Sequence, residues 1–169
     1  MSFPENLQAI WAPWRVEYFS MDKSRDFLAE AAQTTDDAAH LVVARRKNTF
    51  LIVNRFPYAI GHLMAVPYRK IAELDALTGE EQVELWELAI LAQKLLQKVA
   101  NAAGFNIGLN IGKCAGAGFA DHLHLHIVPR WEGDNNFMPV LAGTRVMPEA
   151  LDALYQKLIG ALDELQADG

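Results

Sequence analysis

An α+β fold with an antiparallel sheet follows from three features of the sequence. Three short β-branched runs occur in succession between residues 41 and 67 and read as an antiparallel meander. Two longer segments repeat apolar residues at three- and four-residue steps, the spacing of amphipathic helices. The elements then alternate as strands, helix, strands, helix, which is an α+β order. With 169 residues, 51% of them apolar, the chain is read as one domain spanning 1–169, long enough to bury roughly 70% of its unfolded surface.

Residues 1–39 are read as an N-terminal arm without a core of its own. Trp11, Trp14, Tyr18 and Phe19 cluster there, and Pro13 interrupts any helix through them, so this aromatic area is expected to dock on the body or on a partner. Residues 22–39 read as a weak helix followed by a loop. Leu41-Val42-Val43-Ala44 begins the strands, and Arg45-Arg46-Lys47-Asn48 makes a polar turn. Thr49 to Val53 is apolar on both faces and is expected to be an inner strand; Gly61 to Pro67 is the third.

Thr78-Gly79-Glu80-Glu81 is a capping box that opens a long helix. Leu85, Leu88, Ala92, Leu95 and Val99 form its core-facing row, and Gly104 is expected to stop it. Trp86 and Ile90 make a second row, wide enough to cover a neighbour as well as the domain's own sheet. Phe105–Ile111 and His122–Arg130 are read as two more strands around the small-residue loop Ala115-Gly116-Ala117-Gly118. Pro148 suits the first position of a C-terminal helix carrying Leu151, Leu154, Leu158, Leu162 and Leu165 on one face.

Composition narrows function by exclusion. A single cysteine, Cys114, excludes a disulfide framework and any multi-cysteine zinc or iron–sulfur centre, and fits a reducing cytoplasm. A net charge of −6 argues against a general nucleic-acid partner. No apolar run approaches the ~20 residues of a membrane span, so no membrane partner is expected, and the location is read as cytoplasmic.

The chemistry concentrates in Asp121-His122-Leu123-His124-Leu125-His126-Ile127-Val128, which holds three of the five histidines. On a strand, positions i, i+2 and i+4 share a face, which would line up three imidazoles about 6.6 Å apart and turn Leu123, Leu125 and Ile127 into the core. Three readings fit that pattern. One is a strand whose solvent face happens to carry histidine. Another is a metal site, weakened because the nearby acids are only Asp121 and Glu132, with Asp121 on the opposite face by parity. The last is nucleophilic catalysis at a phosphate, with one neutral imidazole attacking and a protonated neighbour supplying the leaving group. The adjacent loop favours phosphate: Gly116 and Gly118 leave backbone N–H groups open to an anion, and Lys113, Arg130 and Arg145 could offset its charge.

His122-Leu123-His124-Leu125-His126-Ile127-Val128 resembles the signature of the histidine-triad family, three histidines alternating with apolar residues. Val53-Asn54-Arg55-Phe56-Pro57-Tyr58-Ala59-Ile60-Gly61-His62 is similar to that family's upstream motif, and Asn110-Ile111-Gly112-Lys113 through Gly118 to its phosphate-side loop. The match spans roughly residues 40–131. The segment Val128 to Val140, with Trp11-Ala12-Pro13-Trp14-Arg15, is similar to the bacterial diadenosine tetraphosphate phosphorylase branch. The resemblance implies a histidine-triad fold, an antiparallel sheet with a long helix and a C-terminal helix, the sheet continuing across a homodimer. It implies a nucleoside polyphosphate substrate attacked at the α-phosphorus by His124. His126 would contact the phosphate and assist the leaving group, and His122 would orient His124. Asn54 would bind the ribose hydroxyls, Ile52 would pack on the base, and Asn110 would lie on the phosphate or leaving-group side. Inorganic phosphate, as co-substrate, or water would then release the nucleotide, with phosphorolysis preferred.

Relatives in this branch often carry a Cys-x-x-Cys pair that binds structural zinc. Here the matching stretch reads Ser24-Arg25-Asp26-Phe27-Leu28-Ala29, so no metal and no other cofactor is expected, and His40 is read as an ordinary surface histidine. His62 is read either as a structural hydrogen-bonder or as a residue at the rim of the site. Trp131 is read either as packing on the body or as closing the site from a dimer partner. Cys114 is read as a small filler. The alternatives carried alongside are a hydrolase of dinucleoside polyphosphates or other AMP conjugates, and a low-turnover nucleotide-binding regulatory protein.

Overall fold

The computed structural model describes residues 26–134 and 149–167. The tryptophan-rich segment, Arg145 and Pro148 lie outside the described residues. Elements follow in the order α1 (Phe27–Gln33), a single turn α2 (Asp37–His40), β1 (Val42–Arg45), β2 (Thr49–Val53), β3 (Leu63–Pro67), α3 (Gly79–Ala100), β4 (Gly104–Leu109), β5 (Leu125–Arg130) and α4 (Leu151–Ala167). The strands form one five-stranded antiparallel sheet, ordered β1-β2-β3-β5-β4. The expected meander is its first half, with β2 inside, and β4 is left at an edge.

The sheet separates two apolar layers because adjacent residues of a strand point to opposite faces. Leu51, Val53, Leu63, Ala65, Leu125 and Ile127 face α3 and α4, where Leu85, Leu88, Ala92, Leu95, Leu154 and Leu158 meet them. Phe50, Ile52, Met64 and Val66 face the other way, toward Phe27, Leu28 and Ala31 of α1. The Asp26 carboxylate caps α1, its Oδ1 accepting from the backbone N–H groups of Leu28 and Ala29 at 3.1 Å each. Arg45 ties this corner to β1, donating to the carbonyls of Ala31 and Thr34 at 3.0 Å each.

The α3 cap is the expected capping box, with Glu81 Oε2 accepting from the Thr78 N–H at 2.8 Å and Thr78 Oγ1 accepting from the Glu81 N–H at 3.2 Å. Glu81 is buried and also takes two bonds from Arg69, at 2.8 and 2.7 Å. Several expectations are corrected. Asn101, at φ 48°, ends α3 in the left-handed conformation, and Gly104 instead begins β4. The loop expected after the weak helix contains α2, because Asp36 caps a further turn by accepting from the Ala39 N–H. The C-terminal helix starts at Leu151, three residues beyond Pro148, so that proline is not its first residue.

A further correction bears on the site. The ladder of β5 begins at Leu125, so His122 and His124 precede the strand rather than belonging to it. Asp121 is not on an opposite strand face but in a turn, ion-paired with Lys70 at 2.9 Å.

Candidate active site

The β2–β3 hairpin supplies the first part of the site. The Asn54 N–H donates to the His62 carbonyl at 2.9 Å, so these two residues form the last rung beyond the strands. Gly61 makes the turn into His62 at φ 77°, where a Cβ would lie 2.8 Å from Leu96 Cδ2. Glycine is required there by both conformation and space. Register then sets a row across the sheet, Ile52 beside Met64, Met64 beside His126, and His126 beside Gly108. His126 therefore emerges on the α1 side of the sheet.

Hydrogen bonds fix the protonation of each imidazole. The Tyr58 backbone N–H can only donate, and it donates to His62 Nδ1 at 3.1 Å. Asn54 Nδ2 approaches the same nitrogen at 3.2 Å, while Asn54 Oδ1 accepts from the Phe56 N–H at 2.9 Å. With Nδ1 an acceptor, neutral His62 carries its proton on Nε2 and gives it to His126 Nδ1, 2.9 Å away. His126 must then hold its own proton on Nε2. The reverse direction would leave His62 with no proton on either nitrogen. The Asn110 amide lies 3.3 Å from His126 Nε2 and 3.3 Å from the Tyr58 hydroxyl. Flipped to present its oxygen, it accepts from both.

His124 has the opposite tautomer. Its Nδ1 lies 2.8 Å from the His122 carbonyl, which can only accept, so Nδ1 carries the proton and Nε2 keeps its lone pair. Among the described residues nothing hydrogen-bonds that Nε2. The His124 and His126 rings meet edge to face, centroids 4.7 Å apart. Burial pushes both imidazoles below the ordinary 6.5, His126 to about 4 with the neighbouring His124 adding to the effect. The site thus pairs an unprotonated nitrogen with an N–H donor, both neutral at pH 7. That pair can attack an electrophilic phosphorus and stabilise, by hydrogen bonding, the charge that develops on the group it expels.

His122 is fully buried and donates from Nε2 to the Pro67 carbonyl at 2.9 Å. Its Nδ1 is buried without a hydrogen-bond partner and stands 3.8 Å from Asp26 Oδ2. Lys70 Nζ is 2.9 Å from Asp26 Oδ2, as an ion pair, and 2.9 Å from Asp121 Oδ2. The two carboxylates, Asp121 first, hold the Lys70 ammonium above its ordinary value.

The structure therefore brings His124, His126, His62, Asn54 and Asn110 together, with His122 behind His124. It places the other candidates differently. Ile52 is fully buried in the α1-side layer, so it presents no free surface to a base in this conformation. Gly116 ends a turn of 3-10 helix at φ 88° and, like Gly118, lies in an exposed loop with open space where a Cβ would be. Trp131 packs with the helix-side core and donates from Nε1 to the Ala100 carbonyl at 2.9 Å, so within one chain it packs on the body. Arg130 is held by Asp134 and Asn106 rather than offered to the loop. Cys114 is exposed and fills no gap. His40 bonds the Asp36 carbonyl at the surface. The described residues contain no group of three or more His, Cys, Asp or Glu arranged to hold a metal ion. Tyr58, Asp26 and Lys70 were not singled out by the sequence. Tyr58 lies inside the upstream motif, but nothing in residue type or spacing ties Asp26 or Lys70 to His122.

Comparison with known proteins adds four findings. The family model described as HIT domain matches residues 35–133. The chain is 40% identical over 156 residues to a Mycobacterium tuberculosis protein named AP-4-A phosphorylase, covering 87% of this chain and 80% of that one. It is 34% identical over 93 residues to the asymmetrical bis(5'-nucleosyl)-tetraphosphatase of Schizosaccharomyces pombe, covering 55% of this chain and 50% of that one. In fold it is similar to a zinc-bound histidine triad family protein of Mycobacterium smegmatis, with a TM-score of 0.63 and 24% identity over 76% of this chain and 88% of that one.

Proposed function

The chain belongs to the HIT domain family, and we propose that it is a nucleotide-processing enzyme that cleaves dinucleoside polyphosphates, diadenosine tetraphosphate among them, in the cytoplasm. The observation that carries this reading is the tautomer pair, a free Nε2 lone pair on His124 next to a proton on His126 Nε2. His124 Nε2 bonds to the phosphorus of the AMP moiety and the bond to the bridging oxygen breaks. ATP leaves as its anion, and the His126 Nε2–H donates a hydrogen bond to the departing oxygen. Inorganic phosphate then displaces the nucleotide from His124 and yields ADP. Asn54 binds the ribose, Ile52 lies toward the base once the layer around it opens, and Asn110 with the Gly116–Gly118 loop lies on the phosphate side. The identity to a relative named as a phosphorylase supports phosphate rather than water as the second nucleophile.

The chain acts as one domain over residues 1–169, with residues 1–39 as an arm on it, and pairs as a homodimer. Two observations support the pairing. β4 is an edge strand with no fully buried residue, and Val83, Trp86 and Ile90 form an exposed apolar stripe on α3.

Turnover of diadenosine tetraphosphate with and without inorganic phosphate tests the reading. ADP plus ATP, formed only with phosphate, is expected. AMP plus ATP regardless of phosphate would make the protein a hydrolase, and no product from any dinucleoside polyphosphate would end the reading. His124→Ala is expected to abolish turnover while nucleotide still binds.

A further inference from the structure

The nucleophile of this site leans on a carbonyl that the sheet does not hold. His124 Nδ1–H donates to the His122 carbonyl, yet the ladder of β5 starts only at Leu125. Residues 121–124 are fixed instead by contacts to the segment after β3. The Leu123 N–H donates to the Ile71 carbonyl at 2.7 Å, His122 Nε2–H to the Pro67 carbonyl, and Lys70 pairs with Asp121. Lys70 also pairs with Asp26, whose other oxygen caps α1. With α1 seated on the sheet through Phe27, Leu28 and Ala31, Lys70 links an anchored helix to the residue just before His122.

We propose that Asp26, Lys70 and Asp121 form an ionic clamp that positions the His122 carbonyl, and through it the tautomer and aim of His124. The His122 ring explains why the charges are needed. Its Nε2 bonds the Pro67 carbonyl, and its Nδ1 stands 3.8 Å from the Asp26 carboxylate without a hydrogen-bond partner. The Lys70 ammonium offsets that carboxylate and draws both acids toward one point. Without it, the Asp26 carboxylate is left buried beside the His122 ring with no cation to offset it, and the 121–122 backbone loses its tie to α1. The three residues act through His122 and touch no substrate, so they are positioning residues. The inference deepens the proposed function and rests on it for the kinetic readout only.

The test uses the full-length protein. In wild type, imidazole 15N spectra should show His124 as one neutral tautomer, protonated on Nδ1. Lys70→Met should mix the two tautomers and lower kcat roughly 10- to 100-fold, with KM for diadenosine tetraphosphate within about twofold. Lys70→Arg, which keeps the charge, should restore the single tautomer and most of the rate. Asp121→Asn removes only the Lys70–Asp121 pair, at an exposed position, and leaves the α1 cap intact, so it serves if Lys70→Met fails to fold. Mixed tautomers in either neutralising variant, rescued by arginine, support the clamp. A single unchanged His124 tautomer in the folded variants overturns it, whatever the rates. If wild type cleaves no dinucleoside polyphosphate, the functional reading fails and the spectra still decide the clamp.

Discussion

His62 Nε2 lies 2.9 Å from His126 Nδ1, and this bond sets where His126 keeps its proton. Its direction is fixed at the other ring nitrogen, where the Tyr58 backbone N–H, four residues back, can only donate to His62 Nδ1. A backbone amide from the hairpin turn thus determines which nitrogen of His126 carries the N–H. His62→Ala should release His126 to either tautomer and lower kcat roughly 10- to 100-fold for substrates whose leaving group needs a proton. An AMP ester with a p-nitrophenolate leaving group should lose far less. Equal losses on both substrates would show that His62 serves the fold and not proton delivery.

Acid should weaken the protein in two separate windows. The unfolded chain takes up protons near the ordinary imidazole value of 6.5, while folded His126 holds off until about 4. Between those values the unfolded state binds more protons, so stability falls as pH drops, by about 2 kcal/mol after allowing for residual solvent screening. His124 shifts in the same direction. Glu81 acts lower down: the Arg69 bond, more than the opposing effect of burial, holds its carboxyl at about 2 instead of 4.5, so its contribution is lost as pH falls through that interval. Urea midpoints at pH 7, 5.5, 4.5 and 3 should show both steps, with Glu81→Gln flattening only the lower one. A midpoint constant from pH 7 to 4.5 would contradict the His126 shift.

Gly61→Ala should be costly for a residue with no side chain. Its φ of 77° disfavours any Cβ, and the added carbon would meet Leu96 Cδ2 at 2.8 Å and Pro129 Cγ at 3.2 Å. Strain and clash together should cost about 2 kcal/mol or more. Because the next residue is His62, the variant should also lose activity at temperatures where it remains folded. Thermal melts and turnover on the same sample check both statements; an unchanged melting temperature would mean that Leu96 and Pro129 yield freely.

Patterning exposed the fold because the core obeys it. Leu85, Leu88, Ala92 and Leu95 are buried at the steps that the sequence displays, and the strands alternate between two layers. Where a local signal met a stronger competitor, it misled: Gly104 looked like a helix stop, but Asn101 took the left-handed turn three residues earlier. The histidine spacing located the site but not its geometry. Alternation implies one strand face, whereas His122 turns back to Pro67 and only His126 stands in the ladder. Asp26 and Lys70 were invisible, since 96 and 52 residues separate them from His122 and only the packed α1 joins them. Ile52 could be read as apolar, but its complete burial under α1 could not be read from its neighbours in the chain.

The exposed stripe on α3 offers a test of the proposed pairing. Val83 is 59% exposed, Trp86 58% and Ile90 53%, at three- and four-residue steps on a helix whose other face is core. Covering those side chains would remove a large apolar area from water, and replacing two of them with charge would oppose association at little cost to the separate chain. Trp86→Lys combined with Ile90→Glu should therefore convert a dimer into a folded monomer by sedimentation velocity, with far-UV circular dichroism unchanged. A wild-type monomer would remove the homodimer from the proposed function. A variant that stays dimeric would shift the contact to the outer edge of β4, which no described strand covers.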